Sequence, residues 1–518
     1  MHIQILSTSD VHGYVYPTDY STPTDRHPYG MLKAATVIRQ AQATAGPDNV
    51  VITIENGDWL QGAPFATYLA KRPAAEQDLF TRITGAMHYD AGVLGNHEFN
   101  YGLAYIRAAE AKRIYPLLGA NIVGGQNQRI LDAPYKIITK QGIKIAILGL
   151  TTAYVPVWER ASNIAGLTFE PAVATARRLV PELRQQADIV VVAYHGGFEA
   201  DPATGVPTER QTGENEGYQL LAEVPGIDAL VTGHQHRQIA GVYQGVPTTQ
   251  PGDKGVAVGC IDLELDAAHR IIDRSARLLP TAGAEPDVAL TQLTQSVQDK
   301  VETWLDQPVG QITGTSLAVT DPMDARLHGH PYLQFINRVE MAAGVTDIAA
   351  TALFNDEVHG FGCDVSLRQL LNSYPYPNTL VVERLTGADV KLALERCASF
   401  FEVRDGHRVG VATAFTTPKV ELYNYDIYSG LDYRFDLTQP RGSRVVSLNY
   451  HGRMVQPTDQ LDVAMNQYRG NGGGDYPMFS PAKVIREVNV DMAELIMQYF
   501  EAHPVVTGEP QTNFRVDY

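Results

Sequence analysis

Cysteine is almost missing: 518 residues hold three, Cys260, Cys363 and Cys397. Their spacing suits neither a disulfide framework nor a zinc cluster, so they are expected to be buried apolar thiols. Also missing is any apolar run near the roughly 18 residues that span a bilayer, so no membrane-spanning helix is expected. There is no excess of cations. Lys and Arg total 41 against 58 Asp and Glu, a formal net charge of -17. So acidic a surface repels polyanions and argues against sequence-independent binding of DNA or RNA. A small anionic substrate remains compatible if metal ions supply local positive charge. No repeat, low-complexity tract or long single-sign run is present, and 19% of residues are charged, a composition that argues against disorder. Strand-like Ile3-Gln4-Ile5-Leu6 begins almost at Met1 and leaves no room for a signal peptide, which predicts a cytoplasmic protein; a trimmed start would make it extracytoplasmic.

What is present is length enough for two domains, since single cores stop growing near roughly 250–300 residues. In the first half, short apolar runs at 3–6, 50–54, 91–94, 143–148, 189–193 and 229–231 are bounded by Gly, Asp or Asn and read as strands. Helical stretches at 32–43 and 172–186 lie between them. This alternation predicts an α/β domain. Apolar residues recur at near-helical spacing from Val288 to Leu305. The spacing predicts an amphipathic helix joining two domains, with a core helix of either domain as the alternative. The expected organisation is a first domain over 1–284, a linker helix over 285–306 and a second domain over 307–518. Helices are expected there at 332–343 and 387–400, then a strand-rich stretch at 422–466 and a Gly-rich loop at 470–474.

Five polar motifs follow predicted strands of the first half: Asp10 and His12 in Ser-Asp-Val-His-Gly, Asp58 in Glu-Asn-Gly-Asp, Asn96 and His97 in Gly-Asn-His-Glu, His195 in Tyr-His-Gly-Gly, and His234 and His236 in Thr-Gly-His-Gln-His. A lone histidine after a strand is usually a capping or packing residue. Five such motifs at one sheet edge are different, because ligands of open α/β sheets gather beyond the carboxyl ends of strands. Each motif contains a glycine, which lets backbones crowd together. The other ten of the 15 histidines, among them His27, His88 and His407, lack this context. Imidazole and carboxylate together suit two divalent cations, Mn, Fe or Zn rather than Mg or Ca. Asp58 stands alone in its motif and is the expected bridge. Two such cations roughly 3.5–4 Å apart can hold a water, lower its pKa and clamp an in-line displacement.

The ordered set Asp-x-His, Gly-Asp, Gly-Asn-His-Glu, His and Gly-His-x-His resembles the calcineurin-like metallophosphoesterases. The resemblance implies a four-layer α/β/β/α sandwich. It also implies one metal on Asp10, His12, Asp58 and His236, and the other on Asp58, Asn96, His195 and His234. His97 then resembles the family's histidine that stabilises the phosphoryl transition state or protonates the leaving oxygen, a role suited to a pKa near operating pH.

In the second half, aromatics flank flexible backbone: Tyr423-Asn-Tyr425-Asp, and Asn466-Gln-Tyr468-Arg469 running into Gly470-Asn-Gly-Gly-Gly474-Asp475. Two aromatics on neighbouring loops can sandwich a base at roughly 1–3 kcal/mol per stack; core tyrosines at strand ends are the alternative. The arrangement, with the run from Tyr374 to Leu380, resembles the C-terminal domain of the 5'-nucleotidases, an α+β substrate-binding domain. That resemblance implies a small-molecule nucleotide substrate. It implies substrate contacts from Tyr468, Asn466, Arg469 and Asp475, and a stacking partner at Tyr425, with Tyr423 as competitor. Two departures stand out. Asn100 occupies the place where the 5'-nucleotidases usually carry an Asp that pairs with the catalytic His, so His97 and Asn100 form the implied catalytic pair. Asp475 lies one position later than usual in its loop. Both departures, with Asn466-x-Tyr468-Arg469 and Tyr16-Pro-Thr-Asp-Tyr20, resemble the 2',3'-cyclic-nucleotide 2'-phosphodiesterase/3'-nucleotidase branch. The function expected is therefore hydrolysis of nucleotide phosphoesters, cyclic and 3'-nucleotides favoured, with a 5'-nucleotidase or nucleotide-sugar hydrolase as nearest rival. A non-catalytic nucleotide-binding protein should have lost at least one of the seven ligands.

Overall fold

The computed structural model describes every residue except 47–48, 125–129, 210, 377 and 405–407. Pro377 of the Tyr374–Leu380 run, and His407, therefore lie outside the described residues. The chain divides into two compact units, Met1–Glu302 and Thr303–Tyr518.

Two six-stranded sheets form the first unit. In one, His2–Thr8, Asn49–Glu55, Ala91–Val93 and Leu117–Leu118 lie side by side in parallel, and Ala257–Leu265 and Ile271–Pro280 extend the sheet antiparallel beyond His2–Thr8. In the other, Ile143–Thr151, Ile189–His195, Ala229–Val231 and Val246–Pro251 are parallel, flanked by antiparallel Tyr135–Lys140 and Gln238–Tyr243.

The layers follow from the two-residue period of a strand. Ile3, Ile5, Val50 and Ile52 of the first sheet share a core with Ile145, Ile147, Ile189 and Val191 of the second. The alternate residues Ala146, Leu148, Val190 and Val192 face the other way and pack with Val173, Ala176, Leu179 and Val180 of helix Ala172–Leu183. Helix Met31–Thr44 buries Met31, Leu32, Ala34, Ala35 and Ile38 and contacts strand Ala257–Leu265. Each buried Ile, Leu or Val contributes roughly 1.5–3 kcal/mol. The result is the α/β/β/α sandwich implied by the family resemblance.

A five-stranded sheet, in the order Asp426–Ser429, Ile348–Ala352, Gln460–Asn466, Thr379–Thr386, Val484–Asp491, centres the second unit. Helices Pro331–Gly344 and Gly387–Ala398 contact it. The second helix starts where it does because Thr386 and Asp389 form a capping box.

Several details differ from the sequence reading. The helix expected over 172–186 ends at Leu183, with Pro181 inside its last turn. The linker helix expected over 285–306 is Val288–Leu305, and the division between units falls inside it. Its first part is held to the first unit by the Tyr16 and Tyr20 hydroxyls, 2.9 Å from Thr294 Oγ1 and Gln298 Oε1. Cys260 and Cys397 are buried, but Cys363 is exposed, beside strand Asp364–Ser366, so the expectation of three buried thiols is corrected there. Among the described residues, no helix is long and apolar enough to cross a membrane.

Candidate metal centre

The seven candidate ligands sit at or just beyond the carboxyl ends of His2–Thr8, Asn49–Glu55, Ala91–Val93, Ile189–His195 and Ala229–Val231. The ends of these parallel strands converge because the two sheets share one core. The side chains form two groups, Asp10 with His12 and His236, and Asp58 with His195 and His234; in each, one ligand atom per residue lies within 4.8 Å of the others. Asn96 joins the second group, its Oδ1 2.9 Å from His234 Nδ1 and 3.3 Å from His195 Nε2. Asp58 reaches both: its Oδ2 is 3.2 Å from His195 Nε2 and 3.8 Å from His12 Nε2. His12 and His236 bring their Nε2 atoms within 3.1 Å of each other. His97 lies alongside, its ring edge-on to His12 at 5.2 Å between centroids.

The backbone here is strained. Asp10, His12, Asp58, His234 and His236 all have φ between 51° and 69°, left-handed values that disfavour L-residues by roughly 1–2 kcal/mol each. Such strain persists where surrounding structure over-determines it, and it clusters at functional sites. The glycines explain part of the crowding. A Cβ on Gly95 would collide with Asp58 and His195, and one on Gly233 with Ser9 and Asp10.

Three of the four imidazoles in the two groups have a hydrogen-bond acceptor at their far side, and the fourth, His236, has a carboxylate at ion-pair distance. His12 Nδ1 is 3.1 Å from the Gln61 carbonyl and His195 Nδ1 is 2.7 Å from the Asn56 carbonyl. Glu214 Oε1 is 2.9 Å from His234 Nε2, and Asp253 Oδ2 is 3.8 Å from His236 Nδ1. An acceptor there takes the ring's N–H and leaves the near nitrogen as a lone pair, which is how metal-binding imidazoles are set up. Glu98 anchors the loop beneath. Its carboxylate accepts from the backbone N–H groups of Asp58, Trp59, Leu60 and Gly95 at 2.6–2.9 Å.

The electrostatics match a site that exchanges protons for cations. Burial lifts the Asp10 carboxyl to about 7 and drops His12 to about 3. Burial also works against the charged forms of Asp58 and His195, and their mutual attraction outweighs it. Asp58 is held well below the usual carboxylate range, and His195 rises to about 10. Such a donor set, mixing buried carboxylates, imidazoles and an amide oxygen, fits two divalent cations, whose binding would release protons.

His97 is oriented by a chain of contacts. Its Nδ1 is 2.8 Å from Asn100 Oδ1, and Asn100 Nδ2 donates to Glu159 Oε2 at 2.8 Å. Sequence reasoning missed Glu98, Glu159, Glu214 and Asp253. Glu98 lies inside a quoted motif and was legible in principle. The others sit on loops with no spacing that ties them to a ligand.

Three of the expected substrate contacts, Tyr425, Asn466 and Arg469, are buried in the second unit. Tyr425 is buried, stacked on Phe400 at 4.8 Å, with its hydroxyl donating to the Arg326 carbonyl. It is a core residue. Tyr423, its competitor, is the ring that meets Tyr468, at 6.1 Å and 76°. Arg469 is only 1% exposed. It pairs with buried Asp426 and donates to the carbonyls of Tyr423 and Gly473, so it ties the two loops together from inside. Asn466 Oδ1 caps the short helix Gln467–Gly470 by accepting from the Arg469 N–H at 2.9 Å. Asp475 is more than half exposed, 4.0 Å from Arg396. Gly473 packs against the ring of Tyr468 so closely that a Cβ would clash with it.

Residues 3–238 match the calcineurin-like phosphoesterase family, and residues 308–481 match the 5'-nucleotidase C-terminal domain. A 2',3'-cyclic-nucleotide 2'-phosphodiesterase/3'-nucleotidase of Salmonella typhimurium is 29% identical, over 91% of this chain and 81% of its own. The protein of that name from Haemophilus influenzae is 28% identical, over 99% and 86%. A crystal structure from Staphylococcus aureus, provisionally described as a 5'-nucleotidase and in complex with alpha-ketoglutarate, is 36% identical over the whole of both chains, with a TM-score of 0.92. With both domains matched in order and the sandwich and metal-ligand groups in place, the chain belongs to the 5'-nucleotidase family of calcineurin-like phosphoesterases and is a phosphoric ester hydrolase.

Proposed function

We propose that this hydrolase acts on nucleotide phosphoesters, favouring 2',3'-cyclic nucleotides and 3'-nucleotides over 5'-monophosphates. The observation that carries the hydrolytic reading is the convergence of the seven ligands, with a hydrogen-bond acceptor behind His12, His195 and His234. In this reading Asp10, His12 and His236 hold one divalent cation, Asn96, His195 and His234 hold a second, and Asp58 serves both. Cations held there would supply Lewis-acid stabilisation of charge developing on the phosphoryl group. The chain's own groups orient the rest. The Asp58 Oδ1 accepts the His97 N–H at 2.8 Å and fixes that loop against the ligands. Asn100 holds the His97 ring by Nδ1, and Nε2 has no hydrogen-bond partner among the described residues. That nitrogen is the one to give or take a proton at the leaving oxygen.

Tyr423 and Tyr468 are the proposed base-stacking pair. Their edge-on contact means one ring must swing before a base can lie between them. Asn100, the placement of Asp475 and the relatives from Salmonella and Haemophilus support the preference for cyclic substrates. The Staphylococcus structure supports a second reading, preference for 5'-nucleotides. One experiment separates them. With Mn supplied, kcat/KM is compared for 2',3'-cyclic, 3'- and 5'-phosphates of one nucleoside. Higher values for the cyclic compound support the proposal; a clear preference for the 5'-monophosphate selects the second reading.

A further inference from the structure

Asn100 raises a chemical problem. A carboxylate can only accept a hydrogen bond, so it fixes the imidazole's tautomer. An amide can accept or donate, depending on which way it is flipped. If Asn100 turned its NH2 to His97, the ring would have to present a lone pair at Nδ1 and carry its proton at Nε2.

We infer that Glu159 is the positioning residue that removes this choice, supplying through Asn100 the carboxylate that the His97 site otherwise lacks. Glu159 is 8% exposed. Its Oε2 accepts from Asn100 Nδ2 at 2.8 Å. Its Oε1 accepts from Asn163 Nδ2 at 2.9 Å and from the Arg160 N–H at 2.7 Å. Asn163 Nδ2 also donates to the Asn100 carbonyl at 2.9 Å, so one amide ties the backbone of 100 to the carboxylate behind it. Burial raises the Glu159 carboxyl above its usual range, and the three N–H groups around it oppose that rise. In its ionised form Glu159 has no proton to give, so the atom of Asn100 facing it is nitrogen. The atom facing His97 must then be oxygen, and His97 must carry its proton on Nδ1. Asn100 passes the demand of the carboxylate one residue further along.

This inference rests on His97 acting at the leaving oxygen, as in the reading above, but the tautomer is measurable without turnover. The test uses full-length protein loaded with diamagnetic Zn, with imidazole 15N–1H correlation spectra and kinetics on a small aryl phosphate. Wild type should show His97 protonated at Nδ1. Glu159→Gln should lose that single tautomer and lower kcat by about 10–100-fold, with KM nearly unchanged, the usual size for a supporting hydrogen-bond partner. The decisive variant is Asn100→Asp combined with Glu159→Gln, which exchanges amide and carboxylate and keeps every hydrogen bond. It should restore the Nδ1 tautomer and most of kcat. Asn100→Asp alone should do worse than the double variant, because it sets two carboxylates against each other. A purely structural role for Glu159 would leave the double variant as impaired as Glu159→Gln. That result, or an unchanged tautomer in Glu159→Gln, overturns the inference. A wild type that shows the Nδ1 tautomer yet hydrolyses no phosphoester would overturn the proposed function and leave the Glu159 relay standing.

Discussion

The metal-ligand groups of the first unit and the tyrosine loops of the second use buried polar residues in opposite ways. In the first, two buried aspartates and four histidines are brought together, all but His195 on left-handed backbone. Nothing about folding calls for that; each residue costs strain or desolvation, and the arrangement makes sense only for binding. In the second, Arg469 and Asp426 are equally buried, but they satisfy each other, and the guanidinium also takes up the carbonyls of the loops it joins. Polar residues that the fold itself satisfies are architecture. Those whose near atoms point at one another are a site.

The comparison breaks most completely at Asp58. Asp58→Asn should abolish phosphoesterase activity and lose metal, measured on the purified variant, because a neutral amide cannot serve two cations. His97→Asn should lower kcat about 10²–10⁴-fold, the range for a lost general acid, while both metals stay. In the second unit the expected loss is in stability rather than chemistry. Arg469→Met leaves Asp426 buried and unpaired and should destabilise that unit by about 3–5 kcal/mol in denaturant unfolding. Tyr468→Ala should weaken nucleotide binding by about 1–3 kcal/mol and spare hydrolysis of a small aryl phosphate; equal loss on both substrates would make Tyr468 a core residue like Tyr425.

A pH-dependent effect concerns Glu383, a buried carboxyl of the second unit. Burial raises it from 4.5 to about 8, opposed by the Ser480 N–H and Lys483. Between those values the folded state keeps a proton that the unfolded chain releases. Stability should therefore fall as pH rises through that window, by up to about 1.4 kcal/mol per unit. Glu383→Gln should flatten that slope in unfolding curves taken across the window.

Legibility in the sequence followed the same division. Strands buried on both faces, such as Ile189–His195, read as continuous apolar runs. The antiparallel edge strands were not legible, because Ile271–Pro280 alternates exposed and half-buried residues and carries Asp273, Arg274 and Arg277. Metal-ligand candidates stood out because histidine and aspartate recur after one strand after another. The choice between Tyr423 and Tyr425 could not be read from spacing. It depends on which ring Phe400 covers, a contact between segments more than 20 residues apart. Glu159 was invisible for the same reason, 59 residues from its partner Asn100.

Metal content tests the central claim most directly. Wild-type protein and His97→Asn, loaded with Mn or Zn and freed of excess ion, should each carry two metals per chain by elemental analysis, although only the wild type turns over at full rate. Fewer than two metals in the wild type, or loss of metal in His97→Asn, would contradict the assignment of Asp10, His12, Asp58, Asn96, His195, His234 and His236 as the ligands and of His97 as the group that acts on the substrate.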